Sequence, residues 1–244
     1  MMKAFIFNAG KGSRLGALTA QQPKALVSLA NGETLLSRQL RLLGEVGIYD
    51  VVIAIGYLGN KIRETVAPFE AQGYRISFVD NPHYASSNAI VSMALARDVL
   101  ADDAWLVLHG DLVFSEHWLG RLLSHAAINA VATDATEPLS TKDFKARVQD
   151  GKVVEIAVDI FDDDCVNLMP FYKLSHAAMA VWLDAVVDFC KHGQINVYAE
   201  NAANTVMEAL QLVPVSYADM AMVEVDTPQD LIIAQALVHT ERKD

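Results

Sequence analysis

A short glycine loop carrying cationic side chains follows the first apolar run of the chain. Gly10 and Gly12 permit positive φ angles, so successive amide N–H groups can turn toward an oxyanion. Lys11, Ser13, Arg14 and, after Pro23, Lys24 add charge and donors. A lone Gly-x-Gly would more often be a solvated turn, but the added cations favour a phosphate-binding loop.

Two common phosphate loops do not fit this stretch. A P-loop requires Gly-x-x-x-x-Gly-Lys-Ser/Thr, whereas here Gly12 follows Lys11. A dinucleotide fingerprint requires a third glycine and a continuing helix, but the chain has Leu15 and then Pro23. The sequence therefore disfavours a P-loop NTPase and a dehydrogenase.

Two aspartates follow apolar runs that read as strands. Asp111 comes after 105–109 and Gly110, and Asp226 comes after 222–225. Ligands of open parallel sheets bind beyond the carboxyl ends of the strands, where a carboxylate could hold a divalent cation. Each aspartate could instead cap a following helix, and this alternative is stronger for Asp226 because Pro228 suits a first helical position.

Composition limits the class of partner. The chain has 244 residues, 52% hydrophobic, and a formal net charge of −11. This charge argues against nucleic acid as a partner, and an enzyme with anionic substrates would need local cations plus a metal ion.

No apolar run approaches the roughly 20 residues of a membrane span, and no cleavage-site pattern follows the N-terminus, so we expect a soluble cytoplasmic protein. Cys165 and Cys190 lack metal-ligand spacing and read as buried hydrophobes.

The elements needed to position these residues follow a βαβ rhythm up to about residue 128. The strands are expected at 4–7, 51–55, 76–79 and 105–109, and the helices at 34–46, 61–66 and 88–100, with Thr34 as an N-cap. From 129 onward, strands are expected at 130–133, 144–148, 153–158 and 166–174, with an Asp150-Gly151 hairpin turn. Helices at 175–190 and 197–210, strands at 212–217 and 222–225, and a helix from Pro228 complete the chain.

The stretches 10–15 and 23–27 resemble the signature of the sugar-phosphate and alcohol-phosphate nucleotidylyltransferases. The resemblance implies that residues of the loop bind a nucleoside triphosphate, that Arg14 contacts its phosphates, and that Lys24 lies between the nucleotide and acceptor phosphates. It also implies that Asp111 and Asp226 hold one Mg²⁺. The loop residues assigned to nucleotide binding are Ala9, Gly10, Lys11, Gly12 and Ser13.

The polar segment 80–88 is a candidate for reading the base, with helix capping as the alternative. It resembles the Asn-x-x-Tyr and Asn-x-x-x-Ser patterns of phosphocholine and related cytidylyltransferases, which favours CTP over UTP or dTTP. The assigned residues are Asn81, Ser86, Asn88 and Ser92.

Segment 145–166 resembles cytidylyltransferases acting on inositol phosphate and on aminoalkyl phosphonates. The implied acceptor residues are Lys145, facing the acceptor phosphate, and Tyr198, Glu200 and Glu224. Two departures separate this chain from those relatives. Ala157-Val158 stands in place of Gly-Lys, and Ala199 stands in place of a tryptophan of the aromatic box that surrounds the ammonium in choline-specific members. Phosphocholine is therefore not favoured over another small phosphate or phosphonate.

These observations predict a single α/β domain over 1–244, with a Rossmann-like, mostly parallel mixed sheet, helices on both faces and a small inserted β-rich acceptor region. About 1–128 would bind nucleotide, about 129–226 the acceptor, and 227–244 would form a C-terminal helix. The predicted activity is Mg²⁺-dependent transfer of CMP from CTP to a small phosphorylated alcohol or phosphonate, releasing pyrophosphate. The alternatives are a sugar-1-phosphate nucleotidylyltransferase using UTP, dTTP or GTP, and a catalytically silent nucleotide-binding regulator. Homodimer formation is left open.

Overall fold

The structure is a computed structural model that describes residues 2–241, and it contains eleven strands within that range. They are β1 (Met2–Asn8), β2 (Asp50–Ile55), β3 (Arg75–Asp80), β4 (Ala104–His109), β5 (Leu112–Phe114), β6 (Ala130–Asp134), β7 (Lys145–Gln149), β8 (Lys152–Ala157), β9 (Cys165–Leu174), β10 (Val213–Ser216) and β11 (Met222–Glu224).

Nine α-helices lie within the same described residues. They are α1 (Leu35–Glu45), α2 (Gly59–Glu70), α3 (Ala89–Leu95), α4 (Arg97–Leu100), α5 (Trp118–Ser124), α6 (His176–Lys191), α7 (Ala199–Asn204), α8 (Met207–Leu210) and α9 (Pro228–Glu241). Two short 3₁₀ turns, Ser13–Thr19 and Lys24–Leu26, follow β1. Residues 242–244 of the expected C-terminal helix lie outside the described range.

The central sheet has the strand order β10-β6-β9-β4-β1-β2-β3. Strand β1 pairs in parallel with β2 and β4, and β2 pairs in parallel with β3, while β9 runs antiparallel to both β4 and β6. The carboxyl ends of β1 to β4 therefore meet at one edge, where the sequence predicts a site. A separate two-stranded ribbon joins β5 to β11 in antiparallel fashion.

Alternating side chains of each strand build one core on either face of the sheet. Phe5 of β1 packs into the core that contains α6, whereas its neighbours Ala4 and Ile6 pack into the core that contains α1. This follows from the period of two in a strand. Helix α1 begins where predicted, because the Thr34 hydroxyl accepts from the Ser37 N–H in a capping box. The predicted mixed sheet with helices on both faces is confirmed.

The strands after residue 129 do not all form the separate inserted region that the sequence predicts. Strands β6, β9 and β10 extend the central sheet, and the β7–β8 hairpin branches from it because β7 pairs antiparallel with β9. The hairpin turn is confirmed, with Asp150 and Gly151 at φ of 50° and 72°. The helices expected at 88–100 and 197–210 are each split in two, and β5 and α5 are elements that the sequence analysis missed.

The helices of the described chain include none with both the length and the apolar character needed to cross a bilayer.

Two helical glycines give a matched test of this packing. A Cβ on Gly44 of α1 would lie 2.0 Å from the Tyr74 hydroxyl, which donates to the Leu40 carbonyl at 2.7 Å. A Cβ on Gly120 of α5 would meet no atom within 4 Å. We expect Gly44→Ala to destabilise the protein by about 1–3 kcal/mol through overpacking, and Gly120→Ala to stabilise it by roughly 0.5–1 kcal/mol. Denaturant unfolding of both variants measures this, and shifts of the same sign would contradict the packing described.

Candidate active site

The glycine loop runs from the end of β1 into the first 3₁₀ turn, and Gly12 is its constrained position. Gly12 has φ of +66°, and a Cβ there would lie 2.8 Å from the Lys24 Cβ. Both the backbone conformation and the close approach of Lys24 require glycine. Gly10 does not adopt a positive φ, so that expectation is wrong. Instead, Gly10 lines a cavity beside the loop.

The Lys24 ammonium bridges the two aspartates singled out in the sequence. Its Nζ lies 2.5 Å from Asp111 Oδ2 and 2.6 Å from Asp226 Oδ1. Arg14 Nη2 lies 2.9 Å from the same Asp226 oxygen, while 63% of its side chain stays exposed. Burial lowers the pKa of Lys24, but the two carboxylates outweigh it and the net pKa is raised. The lysine is therefore held as a cation between two anions.

The ribbon of β5 and β11 brings these distant aspartates together. Asp111 immediately precedes β5, and Glu224 at the end of β11 pairs with Leu112. The Val225 N–H then donates to the Asp111 carbonyl at 3.0 Å. Because a strand and not a helix follows Asp111, the capping alternative for this residue is wrong.

Asp226 is oriented by the start of α9 without capping it. The cap is formed by Thr227 and Asp230, whose Oδ2 accepts from the backbone N–H groups of Asp226 at 3.1 Å and of Thr227 at 2.8 Å. The Asp226 carboxylate turns away from the helix to Lys24 and Arg14. The capping alternative is therefore wrong for Asp226 as well.

The acidic residues here suit a divalent cation. Within the described range, the buried Asp111 Oδ1 has no hydrogen-bond partner. Ligand atoms of His109, Asp111 and Glu224 lie within 4.8 Å of one another, as do those of Asp143, Glu224 and Asp226. Carboxylate oxygens are the ligands that Mg²⁺ prefers, and Lys24 already marks a position for positive charge between the two aspartates. The residues present therefore fit Mg²⁺.

His109 is a site residue that the sequence analysis missed. Its Nδ1 lies 3.2 Å from Glu224 Oε1. Burial lowers the pKa of His109, but the hydrogen bond and charge of Glu224 outweigh it and raise the pKa to about 9. For Glu224 itself, burial and the nearby Asp111 charge raise the carboxyl pKa. His109 thus adds positive charge beside Asp111, and its place at the end of a buried strand, two residues before Asp111, was the available signal.

A cavity of about 190 Å³ adjoins Asp111 and contains most of the residues predicted to bind nucleotide. Asn81 Nδ2 donates to Ser92 Oγ at 3.0 Å within it. Asn88 lines the cavity and also caps α3 by accepting from the Ala89 N–H. Of the predicted residues, the cavity brings together Ala9, Gly10, Asn81, Asn88 and Ser92; the residues added by the structure are Phe7, Tyr84, Ser87, Ala89 and His109.

Three predicted nucleotide-binding residues besides Gly12 lie outside this lining. Ser86 is exposed, and its hydroxyl donates to the His83 carbonyl at 3.3 Å. The Lys11 ammonium lies 5.4 Å from the centre of the Tyr57 ring. Ser13 opens the first 3₁₀ turn. These residues border the loop from outside the cavity.

The residues predicted to bind the acceptor are in different environments. Lys145 is fully buried, and its Nζ donates to the Ser140 and Asp143 carbonyls at 2.6 Å and 3.0 Å. The same Nζ lies 4.3 Å from the centre of the Phe161 ring, so Lys145 does not face open space.

Glu200 is likewise buried and accepts from the Tyr172 hydroxyl at 2.9 Å. Tyr198 is 42% exposed and packs edge-on against Phe144 at a ring-centroid distance of 4.9 Å. Of the four predicted acceptor residues, only Glu224 lies in the carboxylate groups around Asp111 and Asp226.

Comparison with known proteins identifies the family of the chain. Residues 4–167 match the model of the MobA-like NTP transferase domain. The chain belongs to this family.

Among curated members similar to it, the CMP-5'-(3-aminopropyl)phosphonate synthase of Streptomyces rubellomurinus is 38% identical over 138 residues, covering 57% of this chain and 21% of that relative. The choline-phosphate cytidylyltransferase of Streptococcus pneumoniae is 26% identical over 230 residues, covering 94% and 95% of the two chains. The chain thus spans about a fifth of the first relative and nearly all of the second.

Among solved structures, a CTP:phosphocholine cytidylyltransferase from Streptococcus pneumoniae superposes with a TM-score of 0.78 at 23% identity, covering 97% of this chain and 99% of that one. This likeness shows that the NTP transferase fold extends over the described chain, beyond the segment that matches the family model.

The bridging role of Lys24 can be tested by thermal unfolding. Without divalent ions, Lys24→Met leaves Asp111 and Asp226 facing each other, and breaking such a buried pair costs about 3–5 kcal/mol at most. We expect a lowered Tm in EDTA and a larger Tm increase on adding Mg²⁺ than the wild type shows.

Lys61→Met is the control for this experiment, because Lys61 is exposed and its ammonium donates to the Gln21 carbonyl. Equal Mg²⁺ responses of Lys24→Met and the wild type would contradict the bridging role.

Proposed function

We propose that the chain is a Mg²⁺-dependent cytidylyltransferase that transfers CMP from CTP to a small phosphate or phosphonate and releases pyrophosphate. The observation that carries this proposal is the Lys24 bridge between Asp111 and Asp226, directly beside a cavity lined by amides and hydroxyls. Membership in the NTP transferase family supports the reaction class. CTP and the acceptor class rest on the resemblance to cytidylyltransferases.

In the proposed reaction, an ionised acceptor oxygen attacks the α-phosphorus of CTP, the bond to the bridging oxygen breaks, and pyrophosphate leaves with that electron pair. Phosphate and phosphonate oxygens are already ionised near neutral pH, so the chain need not supply a general base. Its task is positioning and neutralising charge.

The residues of the site divide this task between them. Arg14, being largely exposed, is free to contact the triphosphate, and Lys24 stands between the nucleotide and acceptor phosphates. Asp111 and Asp226 would hold Mg²⁺, with Glu224 close to both. Bound Mg²⁺ would supply charge neutralisation and Lewis-acid polarisation of the phosphates. Gly12 allows Lys24 to approach the loop.

Nucleotide choice is assigned to the cavity lined by Asn81, Asn88 and Ser92. Amide and hydroxyl groups offer both donors and acceptors, as recognition of a pyrimidine edge requires. The cytidylyltransferases among the relatives support cytosine as the base.

Acceptor binding is assigned to the part of the single domain after about residue 129. Tyr198 presents an exposed aromatic surface, but a quaternary ammonium prefers several aromatic faces. The buried Phe144 ring packs edge-on against Tyr198, and the Phe161 ring lies against Lys145. We therefore favour an acceptor with a primary amine or an uncharged polar group over phosphocholine, and contact of its phosphate with Lys145 would require displacement of Phe161.

A pyrophosphate-release assay with Mg²⁺ tests the proposal. CTP, UTP, dTTP, GTP and ATP are each paired with phosphocholine, phosphoethanolamine, aminoalkyl phosphonates, inositol phosphate and sugar 1-phosphates. We expect turnover with CTP and a small phosphate or phosphonate. Turnover restricted to UTP, dTTP or GTP with a sugar phosphate would support the sugar-1-phosphate alternative. Binding of nucleotide without turnover in any pair would support a silent regulator.

Lys24→Ala and Asp111→Ala should each lower turnover by about 10²–10³, the usual effect of removing one preorganised charge contact. Lys191→Ala and Asp184→Ala are matched controls, because both residues are exposed on α6, and they should retain wild-type rates. Steady-state kinetics measure this, with circular dichroism to verify folding. Near-normal turnover in either site variant would mean that the site is wrongly assigned.

A further inference from the structure

A buried lysine near the carboxyl end of β9 has no carboxylate partner. Only 6% of Lys173 is exposed, and its Nζ donates to the His125 carbonyl at 2.9 Å. Among residues 2–241, Lys173 takes part in no ion pair, although the whole chain has 30 acidic residues. Burying an ammonium without a counter-charge is costly, and its burial lowers the pKa of Lys173. The location of Lys173 therefore favours the arrival of an anion.

Lys173 lines a cavity of about 340 Å³ whose other walls also lack acidic groups. Its polar lining residues besides Lys173 are His125, Ser175 and His176, and the remaining lining residues are apolar. Ile128, at 72% exposure, belongs to this apolar part. The cavity thus combines an uncompensated positive charge with an apolar wall in a strongly acidic protein.

Two further features add hydrogen-bond donors at this cavity. Ser175 and His176 begin α6, a helix of 16 residues, and the amide groups of a first helical turn attract anions. The Ser175 hydroxyl caps only the Ala178 N–H. In addition, the Ala127 N–H donates to His125 Nδ1 at 3.2 Å, which makes Nε2 the protonated nitrogen of a neutral His125 ring.

The cavity lies at the end of the sheet opposite the candidate active site. Ala104, the first residue of β4, lines it, whereas His109, the last residue of β4, lines the nucleotide cavity. At about 3.3 Å per residue, the two ends of this strand are roughly 17 Å apart. An anion here would not be part of the nucleotide or acceptor binding described above.

We propose that this cavity binds a small oxyanion, a phosphate or carboxylate group on a short apolar body, with Lys173 as its counter-charge. The apolar wall accommodates the body, and Lys173 with the first turn of α6 holds the anionic head. The proposal does not depend on the cytidylyltransferase activity.

Thermal unfolding in EDTA, at constant ionic strength set with sodium chloride, tests this site with inorganic phosphate and with butyrate as separate probes. The wild type and Lys24→Ala are both titrated, because Lys24→Ala removes a phosphate contact of the active site. We expect a saturable Tm increase of a few degrees in both proteins with at least one probe, since ligands that bind only the folded state stabilise it. A response to phosphate alone assigns a phosphoryl head, and a response to butyrate alone or to both assigns a carboxylate with an apolar body.

Lys173→Met, made in the Lys24→Ala background, should abolish this increase while leaving the anion-free protein folded, because it replaces an uncompensated buried charge with an apolar chain of similar length. Lys173→Arg should retain the response. Isothermal calorimetry of Lys24→Ala with each probe gives a second measurement that does not rely on the Lys173→Met variant folding. The proposal is overturned by an unchanged response in Lys173→Met, or by the lack of saturable binding of both probes to Lys24→Ala.

Discussion

The electrostatic repulsion between Asp111 and Asp226 is the constraint around which the site is built. Two carboxylates that share one ammonium within 2.6 Å of each would repel strongly in a partly buried setting if that cation were absent. Lys24 compensates both, Arg14 adds charge at Asp226, and His109 adds charge close to Asp111. In a chain of net charge −11, these cations offset the carboxylate charges of the site locally.

The surrounding elements hold this charge arrangement in place. Gly12 leaves room for the Lys24 side chain, the β5–β11 ribbon sets the distance between the aspartates, and Asp230 fixes the backbone of Asp226. The ribbon also contributes buried apolar surface, because Leu112, Val113 and Phe114 of β5 are all buried. The common effect of the three features is to keep the carboxylates close in the folded state. The energy for doing so comes from the apolar cores on either face of the sheet and from a third apolar cluster that contains Val113 and Val225.

Local sequence patterns predicted the elements that depend on local physics. The alternation of strands and helices, the Thr34 cap and the Asp150-Gly151 turn were all confirmed. Strand β5 was missed because three residues carry no periodic signal, and its pairing with β11 depends on residues far away in the sequence. The same long-range pairing explains why the sequence analysis did not place Glu224 near both aspartates, and why His109 was missed.

The direction of β9 separates the charges of this protein into two groups. A parallel strand at this position would bring the residues at its carboxyl end to the edge that holds Asp111. Because β9 runs antiparallel to β4, Lys173 faces Leu106 in the pairing and lies toward the amino end of β4. Its charge is therefore unavailable to the carboxylates of the candidate active site. The reversal of one strand leaves an acidic, cation-bridged site at one end of the sheet and an uncompensated cation at the other.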